Sequence, residues 1–309
     1  MDHKIGSGAR CAMIGYGSWA TALAKVLTEN EPSIGWYVRN PEVLESLRDK
    51  GRNPRYLSNV RFDRTRINPS DDLDRVVSEA DIVILASPSA YLKKTLETLT
   101  VPLKDKFVIS AIKGIVPDDY TTVVEYMHDH YDLSFKQLGI ITGPSHAEEV
   151  SLERLSYLTV VCTDPENSHT IGHKFATEYI KLSYSTDLYG IEYATILKNI
   201  YAVAVGMAVG LGYGDNFLAV LISNSAIPAG KLPRPARNPR LGLPGRPAGD
   251  LLFRLQPQPQ TGPADRARLH GPRCFGRNDP GGRRLFRRRL HPSHQRPPQG
   301  ADAHCRYGL

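Results

Sequence analysis

The chain has 309 residues with 39 basic and 32 acidic side chains, a length that suits two domains of ordinary size. Its four cysteines are scattered, which argues against a disulfide framework and against a metal site; we expect no bound metal. There is no basic-then-apolar leader and no apolar run of about 18 residues, so we expect a cytoplasmic protein without a membrane span.

The net charge of +7 is the sum of two parts of the chain with opposite charge. Residues 227–309 hold 17 basic and four acidic side chains together with 14 of the 23 prolines, whereas residues 1–226 hold 22 basic and 28 acidic ones. A segment this rich in arginine and proline, without helical periodicity, is not expected to bury enough apolar surface to fold.

An apolar run followed by a glycine pattern opens the chain. Residues 12–14 predict a buried strand and residues 21–27 a helix, joined by G-x-G-x-x-A. In that pattern Gly15 permits a tight turn, Gly17 lets the backbone approach a pyrophosphate, and Ala20 allows close helix–strand packing. The N-terminus of the helix offers free N–H groups to phosphates. The stretch therefore predicts dinucleotide binding.

Further apolar runs alternate with helical segments. We expect strands over residues 34–38, 81–86, 107–112, 138–141 and 157–162, and helices over 41–50, 168–180, 191–210 and 217–226. The alternation predicts an α/β fold with a Rossmann-type, doubly wound parallel sheet, followed by an all-α substrate domain. We divide the chain into a dinucleotide-binding domain (1–187), the start of a helical domain (188–226) and an anomalous tail (227–309).

Two charged residues stand out in these elements. Arg39 ends the second strand, where an acidic residue selects NAD and an arginine can receive the 2′-phosphate of NADP. It therefore favours NADP or dual use, although a solvated surface arginine is the alternative. Lys198 lies in the apolar helix 191–210, which we expect to be packed on nearly all sides.

Five motifs occur together in residues 10–226, and their joint occurrence is highly specific for one family. They are Gly15 to Ala24 for G-x-G-x-W-G-T-A-L-A (with alanine at position 20), Asn53 to Leu57 for N-x-x-Y-L, Lys113-Gly114, Gly143 to Val150 for G-P-S-x-A-x-E-V, and Leu197 to Ala202 for L-K-N-x-x-A leading into Gly210 to Asn216. Together they resemble the bacterial type of NAD(P)-dependent glycerol-3-phosphate dehydrogenase.

The resemblance implies hydride transfer between sn-glycerol 3-phosphate and dihydroxyacetone phosphate with NAD or NADP, feeding glycerophospholipid synthesis, in a possible homodimer. Lys198 would be the general acid/base, and burial together with the ammonium of Lys113 would lower its pKa. The implied substrate contacts are Lys113, Lys198, Gly143 and Ser145. The implied cofactor contacts are Gly15, Gly17, Ser18, Trp19, Arg39, Tyr56, Lys113 and Ala147.

Other polar residues are expected to be structural. His146 departs from the large apolar residue usual in its loop, and a lone histidine is more often structural than catalytic. His128 and His130 would face different sides of a helix, which argues against a metal site. Asp215 and Asn216 are expected to cap a turn.

The resemblance stops near Ile227. The family continues with G-D-L-L-x-T and S-R-N-R, whose Asp assists the lysine and whose Arg-Asn grip phosphate and cofactor. The segment from Pro244 to Gly262 can be written as a DNA sequence by choosing one permitted codon for each residue. When that DNA is read one nucleotide later, it can encode L-G-D-L-L-V-T-C-Y-S-A-Y-S-R-N-R-K-L, which contains both family motifs. The segments 279–291 and 302–309, shifted in the same way, can also encode sequences that resemble the family's C-terminal part. We infer a one-nucleotide frame change near Ile227-Pro228, and we carry no role onto Asp250.

Two alternatives stay open from the sequence. One is another Rossmann reductase of a small hydroxy acid, of the ketopantoate or 6-phosphogluconate type. The other is a nucleic-acid-binding protein acting through its basic tail, which would show salt-sensitive DNA binding that is lost on truncation at Ala226. We expect no nucleic-acid partner.

Overall fold

The computed structural model describes residues 3–117 and 119–231, and for 226–231 it describes the backbone alone. Predictions about the tail beyond residue 231, including the basic segment and Asp250, lie outside the described residues.

Eight of the ten described strands form one sheet with the order β10-β9-β8-β5-β4-β1-β2-β3. All neighbours in it are parallel except β8 and β9, which are antiparallel. Strands β6 and β7 form a separate antiparallel pair. The strands are β1 (Cys11–Ile14), β2 (Ile34–Tyr37), β3 (Ile67–Ser70), β4 (Ile82–Leu85), β5 (Phe107–Ser110), β6 (Ile115–Val116), β7 (Thr121–Thr122), β8 (Leu138–Thr142), β9 (Ser156–Cys162) and β10 (Ile180–Ser185).

Nine α-helices connect and follow these strands in the described part of the chain. They are α1 (Ser18–Asn30), α2 (Pro41–Lys50), α3 (Leu73–Ser78), α4 (Ser89–Leu96), α5 (Val123–Tyr131), α6 (Ala147–Ser151), α7 (Pro165–Phe175), α8 (Leu188–Gly210) and α9 (Asp215–Lys231). The doubly wound Rossmann-type sheet predicted from the sequence is confirmed.

The two faces of the sheet carry two separate apolar clusters. Because side chains alternate along a strand, Cys11 and Met13 of β1 point into one cluster while Ala12 and Ile14 point into the other. The first cluster is covered by α1, α2 and α7, and the second by α3, α4, α5 and the first turns of α8. Among the described residues, the last member of either cluster is Ile191.

Two strands of the eight-stranded sheet, β3 and β10, were missed from the sequence, as was the short pair β6 and β7. The helix expected over 168–180 begins earlier, at Pro165 behind the cap Asp164, and ends at Phe175. The next residues form β10, whose apolar positions Ile180, Leu182 and Tyr184 alternate with polar ones, and β10 pairs with β9 over six residues. Strand β3 lacks such alternation, since its residues are Ile-Asn-Pro-Ser.

The prediction that the helix over 191–210 is packed on nearly all sides is wrong. Only five of the 23 residues of α8 are buried, and they lie mostly in its first two turns. Large apolar side chains are exposed along α8, among them Ile200, Val203 and Met207, and α9 exposes Phe217 and Val220. Composition identified the helix correctly, but burial of a helix requires neighbouring elements. Among the described residues, the main neighbour of α8 beyond its first two turns is α9.

Helix α8 bears on the expectation of a chain without a membrane span, which stays a prediction. By length and composition alone, the helix is long and apolar enough to cross a membrane. A single helix of this kind is weak support for a membrane protein, because core helices of soluble proteins meet the same criterion.

Candidate active site

The glycine turn between β1 and α1 has the geometry that its sequence predicts. Gly15 has φ +125°, and a Cβ there would lie 2.8 Å from the carbonyl oxygen of Ala86 at the end of β4. Gly17 precedes the first residue of α1, and a Cβ there would meet nothing within 4 Å. Ala20 is fully buried. Gly15 is therefore required by the turn, while Gly17 leaves the turn open to a ligand.

The start of α1 is suited to an anion. No side chain of the described residues caps the helix, and its first turn holds no acidic residue. Ser18 and Trp19 form that turn and are both partly buried. The free N–H groups and the positive end of the helix dipole favour a phosphate at this point.

The strand ends place the other predicted residues along the same edge of the sheet. Lys113 follows β5, Gly143 follows β8 and Arg39 follows β2, and these strands run parallel to β1 and β4 between them. In open parallel sheets ligands bind beyond the carboxyl ends of the strands. Arg39 is exposed, which agrees with either a 2′-phosphate contact or a solvated side chain.

The structure brings Trp19, Lys113 and Lys198 together. The Nζ atom of Lys113 lies 5.7 Å from the centre of the Trp19 ring, within the range of a cation–π contact. Lys113 is exposed at the sheet edge, yet surrounding protein desolvates its ammonium. That desolvation, followed by the positive charge of Lys198, lowers the pKa of Lys113. Two lysines thus approach each other next to the glycine turn.

Lys198 itself is exposed, so the burial expected of it is wrong. Its helix is tied to the sheet one turn earlier, where the hydroxyl oxygens of Thr195 and Thr142 lie 3.3 Å apart. Residues three apart share a side of a helix, so Lys198 projects near the end of β8. Asp187 caps the start of α8 by accepting a hydrogen bond from the Gly190 N–H.

The loop after β8 is fixed by Tyr157 of β9. Gly143 has φ +150°, and a Cβ there would collide with the Tyr157 carbonyl oxygen. Ser145 is buried and donates its hydroxyl proton to the same oxygen at 2.7 Å. Only the lone pairs of the Ser145 hydroxyl therefore remain for a ligand. Ala147 is the buried first residue of α6, and His146 before it is exposed.

Two buried hydrogen-bond donors near the turn have no partner among the described residues. They are the indole Nε1 of Trp19 and the hydroxyl of Ser87. Ser87 follows β4, and its backbone nitrogen would lie 3.0 Å from a Cβ on Gly15. Buried polar groups are normally satisfied, so these donors and the open face at Gly17 fit a bound dinucleotide.

Sequence reasoning noticed Glu192 but found no role for it, and did not find one for Asn53. Glu192 is buried on α8 and accepts a hydrogen bond from the Val124 N–H at 3.2 Å, at the start of α5. Burial raises the pKa of the Glu192 carboxyl. Hydrogen bonds from Thr122 and Val124 lower it, but burial has the larger effect, and the pKa is about 7. Tyr56 is exposed, and its N–H donates to the Asn53 side chain. The contact of Glu192 with α5 joins residues 68 positions apart, and no local motif reports it.

Within the described residues, no three His, Cys, Asp or Glu side chains lie close enough to hold a metal ion. His128 and His130 both lie on α5, as expected, and each contacts a backbone carbonyl through Nδ1.

The fold and this edge of the sheet define a dinucleotide-dependent oxidoreductase. Family models for the N-terminus and the C-terminus of NAD-dependent glycerol-3-phosphate dehydrogenase match residues 10–168 and 187–231. Glycerol-3-phosphate dehydrogenase (NAD(P)+) of Pseudomonas paraeruginosa is 30% identical over 78% of this chain and 70% of its own length. The enzyme of Staphylococcus haemolyticus is 33% identical over 69% of the chain and 65% of its own length. The chain belongs to the NAD-dependent glycerol-3-phosphate dehydrogenase family.

Solved structures agree on the fold. Glycerol-3-phosphate dehydrogenase of Plasmodium falciparum superimposes with a TM-score of 0.66 at 23% identity, over 72% of this chain and 65% of that one. The Coxiella burnetii enzyme gives 0.63 at 22% identity, over 74% and 69%. These findings favour the dehydrogenase family over the other reductases and over the nucleic-acid-binding alternative.

Proposed function

We propose that this fold serves the interconversion of sn-glycerol 3-phosphate and dihydroxyacetone phosphate with NAD or NADP. The observation that carries the proposal is the approach of Lys113 and Lys198 beside the glycine turn. Within the described residues, neither ammonium has a carboxylate partner. Two unpaired like charges repel each other unless an anion binds between them, and a phosphorylated triose or polyol is such an anion.

In this proposal Lys198 is the general acid/base that exchanges a proton with the C2 oxygen. When bound, the nicotinamide supplies the hydride acceptor in one direction and the hydride donor in the other. As the hydride leaves C2 of the alcohol, the neutral amine form of Lys198 takes the hydroxyl proton at Nζ and becomes an ammonium. In reverse, the ammonium of Lys198 gives that proton to the carbonyl oxygen. Lys113 orients the substrate, together with the loop at Gly143 and Ser145.

We further propose that the chain as written is a damaged member of the family. The C-terminal family model stops matching at residue 231, and the chain spans about two thirds of the length of its relatives. The residues that would grip phosphate and cofactor in the family's C-terminal text are missing from the sequence in frame. We expect weak nucleotide binding and little or no turnover.

Resequencing the gene across the codons for Ser223 to Arg234 tests the frame. A missing or additional nucleotide there gives a helical substrate domain, and residues 227–309 are then discarded. If the frame stands, the tail is translated and the activity describes ancestry.

A frame-restored chain tests the chemistry. It should reduce dihydroxyacetone phosphate with NADH or NADPH, while the chain as written should not. Lys198→Met in the restored chain should lower kcat by about 10²–10⁴-fold, the usual share of acid–base catalysis, with cofactor binding unchanged. Robust turnover by the chain as written contradicts the damage, and an undiminished Lys198→Met variant contradicts the assigned proton transfer.

The cofactor preference depends on Arg39. An arginine directly after β2 supports NADP or dual use, because a guanidinium there can receive the 2′-phosphate. Arg39→Ser should weaken NADPH more than NADH in paired titrations, whereas equal weakening means that Arg39 is only a surface residue.

The remaining proposals follow the family resemblance. They are a cytoplasmic enzyme that supplies glycerophospholipid synthesis, a homodimer, and a division of the chain at residues 187 and 226. The match of the C-terminal family model from residue 187 supports the first of these two boundaries.

A further inference from the structure

Asn53 lies in the loop after α2 and is completely buried. Its side-chain amide joins that loop to the glycine turn. The Nδ2 group donates to the carbonyl oxygen of Tyr16 at 2.8 Å and to the hydroxyl of Thr21 at 2.9 Å. The Oδ1 atom accepts from the N–H groups of Arg55 and Tyr56 at 3.1 and 3.2 Å. Both donors and both lone pairs of the amide are therefore used.

These contacts also fix which way the amide points. The Tyr16 carbonyl can only accept, and the Arg55 N–H can only donate. A flipped amide would set like groups against each other at both ends, so the amide has one stable orientation.

Three successive carbonyls of the turn are each held by a side chain. The Gly15 carbonyl accepts from the indole of Trp36 at 2.7 Å, that of Tyr16 from Asn53, and that of Gly17 from the hydroxyl of Thr21 at 2.9 Å. A trans peptide is planar, with its C=O and N–H on opposite sides. Holding the Tyr16 carbonyl therefore turns the Gly17 N–H away from Asn53. Successive N–H groups that point the same way form an anion-binding concavity.

We infer that Asn53 is a positioning residue for the bound dinucleotide: it orients the glycine-turn N–H groups and the Tyr56 segment without touching the ligand. The inference rests on the proposed dinucleotide binding and adds to it a residue outside the ligand contacts. Thr21 shares the role by linking Asn53 to the first turn of α1.

The chain offers a matched control for a merely structural effect. Asn167 on α7 is also buried, accepts from the Ile5 N–H at 2.9 Å and donates to the His3 carbonyl at 2.7 Å. It joins two segments with the same chemistry but is not part of the glycine turn. Substituting either asparagine breaks a buried amide bridge, and only one of the two bridges orients the turn.

The experiment titrates NADH and NADPH against the purified full chain and the variants Asn53→Ala, Asn53→Asp and Asn167→Ala, with thermal unfolding recorded for each. Asn53→Ala should weaken dinucleotide binding by at least about tenfold, as expected for a lost buried hydrogen bond, and Asn167→Ala by less than about twofold. Asn53→Asp keeps the shape and serves if the alanine variant does not fold. Its carboxylate cannot donate to Tyr16, so its affinity should recover as the pH falls and the carboxyl regains a proton.

The titrations of the wild type and of the variants together decide whether Asn53 positions the dinucleotide. Equal weakening by Asn53→Ala and Asn167→Ala, or an Asn53→Asp variant with the pH profile of the wild type, overturns the positioning role. A wild-type chain that binds neither dinucleotide overturns the dinucleotide binding proposed for this chain and the inference that rests on it, while the frame-restored chain still tests the proposed chemistry. Wild-type binding with unchanged affinity in the Asn53 variants overturns the inference alone.

Discussion

Helices α1 and α8 are both apolar, but they lie in different environments. Seven of the 13 residues of α1 are buried, because the helix lies on the sheet beside α6 and α7. Five of the 23 residues of α8 are buried, although its composition is the more apolar. An apolar sequence therefore predicts a helix but not its burial, which depends on the elements that surround it.

The sharpest test of this contrast removes the same side chain from both regions. Ile84 in β4 is fully buried, whereas Ile200 in α8 is 58% exposed. Ile84→Ala should lower the free energy of unfolding by about 2–5 kcal/mol, because it leaves a cavity. Ile200→Ala should change it by no more than about 0.5 kcal/mol.

Urea unfolding monitored by circular dichroism measures both variants, and an unchanged m-value confirms that the same surface is exposed on unfolding. An equal loss for Ile200→Ala would mean that this face of α8 is covered in solution.

A second test probes the buried start of α8 through Glu192. Its pKa rises from the ordinary 4.5 to about 7 in the folded chain, so folding favours the protonated form. The associated stability is complete below pH 4.5 and is lost as the pH rises through 7. It amounts to about 3 kcal/mol.

Glu192→Gln should flatten the plot of unfolding free energy against pH between these values. If the variant keeps the wild-type slope there, another group is responsible for it.

The smallest expected effect on stability concerns the exposed face of α8. Val203 is 59% exposed, so Val203→Lys should change the free energy of unfolding by less than about 0.5 kcal/mol while reducing self-association measured by light scattering. Leu155, which is 57% exposed in the loop before β9, provides the control. If Leu155→Lys reduces scattering as much, net charge rather than the α8 face governs association.

Much of the fold was predictable from local sequence. The apolar runs located β1, β2, β4, β5, β8 and β9, and the glycine pattern located the turn into α1, because each signal lies within a few consecutive residues. Strand β3 was missed because Pro69 breaks its pattern. Strand β10 was missed because the expected helix was continued to residue 180, the first residue of the strand, and the residues after it were left unassigned.

The candidate site was predictable to a smaller extent. The motifs indicated Trp19, Lys113 and Lys198, and the structure places these side chains together. The exposure of Lys198 was not predictable, since it depends on what packs against α8. The bridge through Asn53 connects residues more than 30 positions apart, and no local pattern reports such a contact.

The two apolar clusters of the sheet have a consequence for the fate of the chain in a cell. Their described members all precede residue 192, so the sheet region holds its own core whatever follows it. A protease that digests from the C-terminal side should slow at the first turns of α8, where Glu192 holds the helix to the start of α5 and Thr195 contacts Thr142 of β8. We expect limited proteolysis followed by mass spectrometry to show a persistent fragment that ends near there. A damaged gene would then still produce a durable remnant of the sheet region, which outlasts the activity that the family's fold serves.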